Sequence, residues 1–211
     1  MNDLLLWLNQ SVEIFPGTRL SGSEIAGFAT GLWCVWLTLR KSIWNFPVGI
    51  ANCTLLLWLF WESRLFADAG LQIMFIVLGA LGWHQWLQGK TGPELPVGTL
   101  SQREWRNTAI ITGLLILSLF SVLTVAKGSI PVFDALITAL SLVAQWLLNR
   151  RKLENWIFWI GVDLISVPVY AYKQLYLIAG LYAVFLLLCV RGYRSWKHDL
   201  DVSKESAKAG L

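Results

Sequence analysis

The sequence predicts an all-α integral membrane protein of seven transmembrane helices, and three observations predict it. Only 14% of the 211 residues are charged while 56% are hydrophobic, against about 25% charged in an ordinary soluble domain. The apolar residues gather in long blocks, and ~20 residues is what a helix needs to cross a hydrocarbon core ~30 Å thick. The basic residues stand at the ends of those blocks rather than in a patch interleaved with exposed aromatics, so the pI near 9.1 reads as topology and not as nucleic-acid binding. In lipid each backbone N–H and C=O must be paired within its own segment, which makes blocks of this length helices.

Residues 1–22 form an N-terminal extracytoplasmic segment. Its stretch Leu4 to Leu8 is too short for a cleaved signal and lacks a basic flank, and 3–15 suits a short helix lying in the interface. A first three-helix repeat covers 23–88, with helices over 23–40, 43–63 and 68–88, broken at Arg40-Lys41 and around Arg64. Residues 89–130 hold a polar linker carrying Gly89, Gly92, Pro93, Pro96 and Gly98, then a linking helix over 106–126. The second repeat, 131–196, holds helices over 131–150, 154–172 and 174–194, the first opened by Pro131 and closed by Arg150, Arg151 and Lys152. Residues 197–211 read as a charged, mobile cytoplasmic tail.

Seven spans place the termini on opposite sides. Arg19, Arg64, Lys127 and Lys173 then share the N-terminal side and the other thirteen Lys and Arg fall opposite. The positive-inside rule makes the C-terminus cytoplasmic and the N-terminus external, in the bacterial inner membrane. An internal repeat supports the count. A shift of 112 lays Trp44-Asn45-Phe46 and Gly49 onto Trp156-Ile157-Phe158 and Gly161, and a shift of 110 lays Ala69-Gly70-Leu71, Gly82 and Trp86 onto Ala179-Gly180-Leu181, Gly192 and Trp196. The architecture is therefore 3+1+3, two parallel three-helix bundles joined by one helix.

Repeat transporters keep their site where Gly or Pro interrupts corresponding helices. The second helix carries Asn45, Pro47, Gly49 and Asn52, and the sixth carries Gly161, Asp163 and Pro168. Asp163 is ionisable and about nine residues into a span, so it serves a pathway or a buried interhelical hydrogen bond. Asn45 and Asn52 face the same two readings. Trp83 with Trp86 and Trp156 with Trp159 are i, i+3 pairs that put two indoles on one face, for a cationic aromatic ligand or for core packing. Gln72 and Gln145 extend the polar set or act as interhelical glue. Glu154 suits the dipole at a helix start. His84 and the three cysteines have no partner at metal-ligand spacing, and no catalytic or nucleotide motif is present, so no metal, cofactor or enzymatic activity is expected. A membrane anchor is one competing class and needs no repeat with matched interruptions; a membrane-embedded enzyme is the other and would need convergent catalytic residues, where the pairs on offer are almost all aromatic and amide.

The stretches Trp44-Asn45-Phe46-Pro47-Val48-Gly49-Ile50, Gly82-Trp83-His84-Gln85-Trp86 and Glu154-Asn155-Trp156-Ile157-Phe158-Trp159 through Asp163 to Tyr172-Lys173, Tyr176, Tyr182 and Gly192 resemble the Pnu family of bacterial vitamin transporters over roughly 23–196. The resemblance implies a homotrimer that carries nicotinamide riboside, an NAD precursor, by facilitated diffusion, with accumulation dependent on a cytoplasmic vitamin kinase. It implies ligand contacts from Asn45, Gln72, Trp86, Trp156 and Trp159, to which Asn52, Gln145, Asp163 and Tyr182 are added as candidate substrate-binding residues. The chain has Asp163 where the family pattern has Asn, so thiamine or another kinase-trapped vitamin is the alternative cargo.

Overall fold

The structure, a computed structural model, describes residues 11–15, 18–62, 66–88, 97–125 and 130–208. Among these residues it contains one β-hairpin and seven helices: β1 Ser11–Phe15, β2 Thr18–Ser21, α1 Gly22–Leu39, α2 Asn45–Glu62, α3 Phe66–Gln88, α4 Gln102–Val125, α5 Pro131–Asn149, α6 Asn155–Tyr172 and α7 Tyr176–Lys208. Four of the seven helices, α3, α4, α5 and α7, are long and apolar enough to cross a membrane.

Two elements differ from expectation. The interfacial helix over 3–15 is not formed in its described part, because Ser11–Phe15 pairs antiparallel with Thr18–Ser21. Apolar Val12 and Ile14 alternate with Ser11 and Glu13, which is a strand period. The tail from 197 is not loose, since α7 runs 33 residues to Lys208 without a break. Trp196 and Leu200 stand one turn apart and are both buried, so the charged face hides an apolar stripe that continues the helix. Residues 3–10 and 209–211 lie outside the described residues.

Six helices close a ring. Neighbours in sequence pack as α1/α2, α2/α3, α5/α6 and α6/α7, and the circuit is completed by α3/α5 and α1/α7; α4 lies outside it against α5. At the basic end of the ring sits the main apolar cluster, with Phe46, Trp86, Leu148, Leu153, Trp156 and Trp196 among its buried members.

Two links at that end have the same form. After α1, Lys41 takes φ 54° and Ser42 N–H donates to Leu37 O at 2.9 Å; after α5, Arg151 takes φ 51° and Lys152 N–H donates to Leu147 O at 3.0 Å. Each is a left-handed helix stop that satisfies orphan carbonyls of the last turn, although a non-glycine occupies the left-handed position. The next helix is then started by Asn45 Nδ2 donating to Ser42 O and by Asn155 Nδ2 donating to Lys152 O, each at 2.6 Å. Every paired residue here is 110 positions apart, so Asn45 corresponds to Asn155. The 112-residue shift suggested by Trp44-Asn45-Phe46 is replaced by 110, because the backbone stop, and not the tryptophan, fixes the register.

The described end of the linker, from Val97, is also pinned. Gly98 and Lys152 form a parallel bridge, with Leu153 N–H donating to Gly98 O at 2.8 Å. Leu100 N–H donates to Glu154 Oε1 at 2.9 Å, and Lys152 Nζ meets Glu104 at 3.1 Å. Glu154 thus holds the approach to α4 and makes no side-chain cap on its own helix.

Candidate functional site

The buried face of α6 carries polar groups at helical spacing. Trp156, Trp159, Asp163, Ser166 and Tyr170 follow one another at three or four residues, which aligns them on one face. Asp163 is 3% exposed and Ser166 fully buried. Asp163 Oδ2, Ser166 Oγ and Trp156 Nε1 have no hydrogen-bond partner in the protein, an arrangement that costs free energy in an interior unless another group satisfies them. Pro168 lies inside α6 and cannot supply the amide that the Leu164 carbonyl would otherwise accept, but Leu164 is exposed, so that break faces away from the Asp163 stripe.

Helix α7 faces this stripe with Tyr182 and Cys189, seven residues apart. Cys189 is buried beside Asp163. The Tyr182 ring stacks on Tyr170 with centroids 5.2 Å apart and planes at 14°, and meets Phe185 edge-on at 5.9 Å. Asp163 lies eight residues from the start of α6, about 12 Å along its axis, close to mid-helix. The interior between α6 and α7 therefore offers a carboxylate, a hydroxyl and flat aromatic surfaces without a basic side chain on the same stripe.

The other candidates separate into groups. Asn45, Trp86 and Trp156 belong to the basic end of the ring. Asn45 is spent on the Ser42 carbonyl, and Trp86 Nε1 donates to Asn149 O at 3.0 Å while its ring meets Phe46 edge-on at 5.0 Å. Trp156 meets Trp196 edge-on at 5.5 Å, and Trp159 packs against the same cluster from a half-buried position. Asn52 ties α2 to α1, its Nδ2 donating to Gly27 O and Thr30 Oγ1, each at 2.7 Å. Gln145 Nε2 donates to Asn149 Oδ1 at 3.1 Å, and Asn149 Nδ2 reaches Leu78 O on α3 at 2.8 Å. Gln72 is buried on α3. Of the nine candidates the structure brings Trp156, Trp159, Asp163 and Tyr182 to the α6/α7 interface. Ser166, Tyr170 and Cys189 join them there; Ser166 and Tyr170 are absent from the sequence reading, although their three-and-four spacing from Asp163 is visible in the sequence, and Cys189 entered it only as a packing residue without metal-ligand spacing. Among the described residues no three His, Cys, Asp or Glu are grouped to hold a metal ion.

At the basic end a cleft of about 390 Å³ is lined by Gln85, Trp86, Glu104, Asn149 and the run Arg150 to Lys152. Its three cations are engaged: Arg150 lies over the Trp146 ring at 4.4 Å, Arg151 over Trp86 at 4.0 Å, and Lys152 on Glu104.

Comparison with known proteins places this geometry. The chain is 27% identical over 207 residues to the nicotinamide riboside transporter PnuC of Escherichia coli, covering 85% of this chain and 87% of the relative. It is 26% identical over 196 residues to the riboflavin/roseoflavin transporter RibM of Streptomyces davaonensis, covering 90% and 91%. The crystal structure of the vitamin B3 transporter PnuC shares the fold, with a TM-score of 0.71 at 20% identity over 85% of this chain and 82% of that one. The profile of the family described as nicotinamide mononucleotide transporter matches residues 21–198. The chain therefore belongs to the nicotinamide mononucleotide transporter family, a family of multi-pass membrane transporters.

Proposed function

We propose that this protein carries nicotinamide riboside into the cell by facilitated diffusion, with the vitamin held between α6 and α7. The observation that carries the reading is Asp163, a deeply buried carboxylate near mid-helix with one oxygen unpaired and aromatic rings nearby. A buried carboxylate favours a cation, and the nicotinamide ring of the riboside is cationic. Riboflavin is uncharged and gains nothing from it. A mononucleotide would bring a phosphate into an interior stripe that holds a carboxylate and no basic side chain, which is unfavourable by charge. Thiamine shares the cationic aromatic character and is the second reading.

The rest of the proposal follows from the pairing at 110 residues. Two matched helix stops, two matched asparagine starts and two matched tryptophans support a 3+1+3 chain of parallel repeats, with α4 as the link. The lopsided Lys and Arg distribution supports an external N-terminus and a cytoplasmic C-terminus in the inner membrane. A homotrimer and trapping by a cytoplasmic vitamin kinase complete the reading on family resemblance. Uptake of labelled nicotinamide riboside, thiamine and riboflavin by proteoliposomes tests it. Saturable uptake of nicotinamide riboside ahead of the other two is expected, and a preference for either competitor overturns the assignment.

A further inference from the structure

We propose that two tryptophans, Trp86 and Trp196, are paired latches that hold the basic end of the helix ring shut and release in each transport cycle. The proposal rests on the transporter reading above.

Four of the six contacts around the ring join helices that follow one another through short links, and these pairs cannot part far at their linked ends. The contacts α3/α5 and α1/α7 have no such link at either end, so they are the seams at which the two halves can part as units. Each seam is bridged at the basic end by the same bond. Trp86 Nε1 on α3 donates to Asn149 O, the last residue of α5, at 3.0 Å; Trp196 Nε1 on α7 donates to Leu39 O, the last residue of α1, at 3.3 Å. Trp86 and Trp196 are 110 residues apart, and so are Leu39 and Asn149. Each half therefore donates to the other, and the closure is reciprocal.

The two ends of each bond are held differently. Each indole is fixed in its own half, Trp86 edge-on to Phe46 of α2 and Trp196 edge-on to Trp156 of α6. A glycine one turn earlier makes room for that packing: a Cβ at Gly82 would overlap Asn149 and Phe46, and one at Gly192 would stand 2.6 Å from the Trp156 ring. The acceptor is a last-turn carbonyl, which no amide of its own helix can satisfy, so the seam can part without breaking either helix. A charged contact backs each latch, Lys41 with Asp199 beside Trp196, and Arg151 over the face of Trp86. Cys189 belongs to the same apolar cluster as the two indoles and stands two turns before Trp196 on α7, about 10 Å farther along the helix from the basic end.

Trp86→Phe and Trp196→Phe keep a ring and delete only the N–H. The test uses full-length protein in proteoliposomes with Cys34 and Cys53 replaced by serine, so that Cys189 is the sole thiol. It measures the labelling rate of Cys189 by an impermeant thiol reagent applied from the basic side and from the opposite side. Each single variant is expected to raise basic-side labelling about two- to tenfold, the worth of one neutral hydrogen bond in closed-state population, with the factors multiplying in the double variant. The opposite side should not gain. This measurement needs no substrate, so it stands even where the cargo assignment fails. A double variant that keeps its trimer or monomer state and melting temperature but labels at the parental rate overturns the latch. A second arm removes all three native cysteines, introduces Lys41→Cys with Asp199→Cys, and ties them with a short bis-methanethiosulfonate, which joins each thiol through a reducible disulfide and releases sulfinate. Uptake of nicotinamide riboside should stop on cross-linking and return on reduction; undiminished uptake by fully cross-linked protein overturns the proposal independently.

Discussion

Replacing Asp163 by Asn keeps the shape of the side chain and removes its charge at a site only 3% exposed. Solvent screening is weak there, so a charge-assisted contact to a cationic ring retains most of the ~1.5–3 kcal/mol such bonds are worth. At about 1.4 kcal/mol per factor of ten, affinity for nicotinamide riboside should fall roughly ten- to 150-fold. The dihydro form of the same riboside has nearly the same shape and no charge, and its affinity should change less than about threefold, within what a neutral amide's altered hydrogen bonding produces. Calorimetric titration of both ligands into both purified proteins separates charge pairing from shape. An equal loss for the charged and uncharged ligands, or no loss for either, refutes the pairing of Asp163 with the substrate cation.

Gly192→Ala puts a methyl into the Trp156 ring and should cost about 1–3 kcal/mol of stability, read as a lower melting temperature that Trp156→Phe partly restores. Gln174 closes α6 with φ 60° and Leu175 N–H donates to Tyr170 O at 2.9 Å; Gln174→Gly should relieve about 1 kcal/mol of left-handed strain and raise the melting temperature without altering uptake. In vesicles without a kinase, a potential of 100 mV supplies about 2.3 kcal/mol per charge, so a uniported cation should accumulate no more than about 50-fold; greater accumulation of the unmodified vitamin would reveal a coupled ion. Single cysteines at Lys204→Cys and Val12→Cys should label from opposite faces of intact cells, and labelling from one face alone would remove the seven-span arrangement.

Helix positions were legible because membrane blocks and their charged ends are strong signals, and the breaks at Arg40-Lys41 and Arg150 to Lys152 coincide with the two left-handed stops. The extent of α7 was not, because Arg194, Lys197, His198 and Asp199 resemble a solvated tail until Trp196 and Leu200 are seen to share one buried face. Asp163 was legible on its own, since an ionisable group within an apolar block is costly anywhere. Ser166 and Tyr170 were legible by their three-and-four spacing from Asp163 and went unread, whereas Cys189 acquires meaning only from the facing of α7 to α6, which no pattern along one chain reveals. Trp86 was legible as half of an i, i+3 indole pair with Trp83, while the bond of its N–H to the Asn149 carbonyl across a seam is visible only in the fold.

The 33 uninterrupted residues of α7 span about 50 Å at 1.5 Å each, some 20 Å more than a bilayer core requires. A rod of that length acts as a lever arm. From Tyr182, beside the α6 stripe, to Lys208 is about 39 Å, so a tilt of about 10° at the stripe would displace the far end by roughly 7 Å. If the proposed vitamin site beside Tyr182 tilts α7 by that angle, a spin label or fluorophore on the terminal turns would report occupancy of the interior.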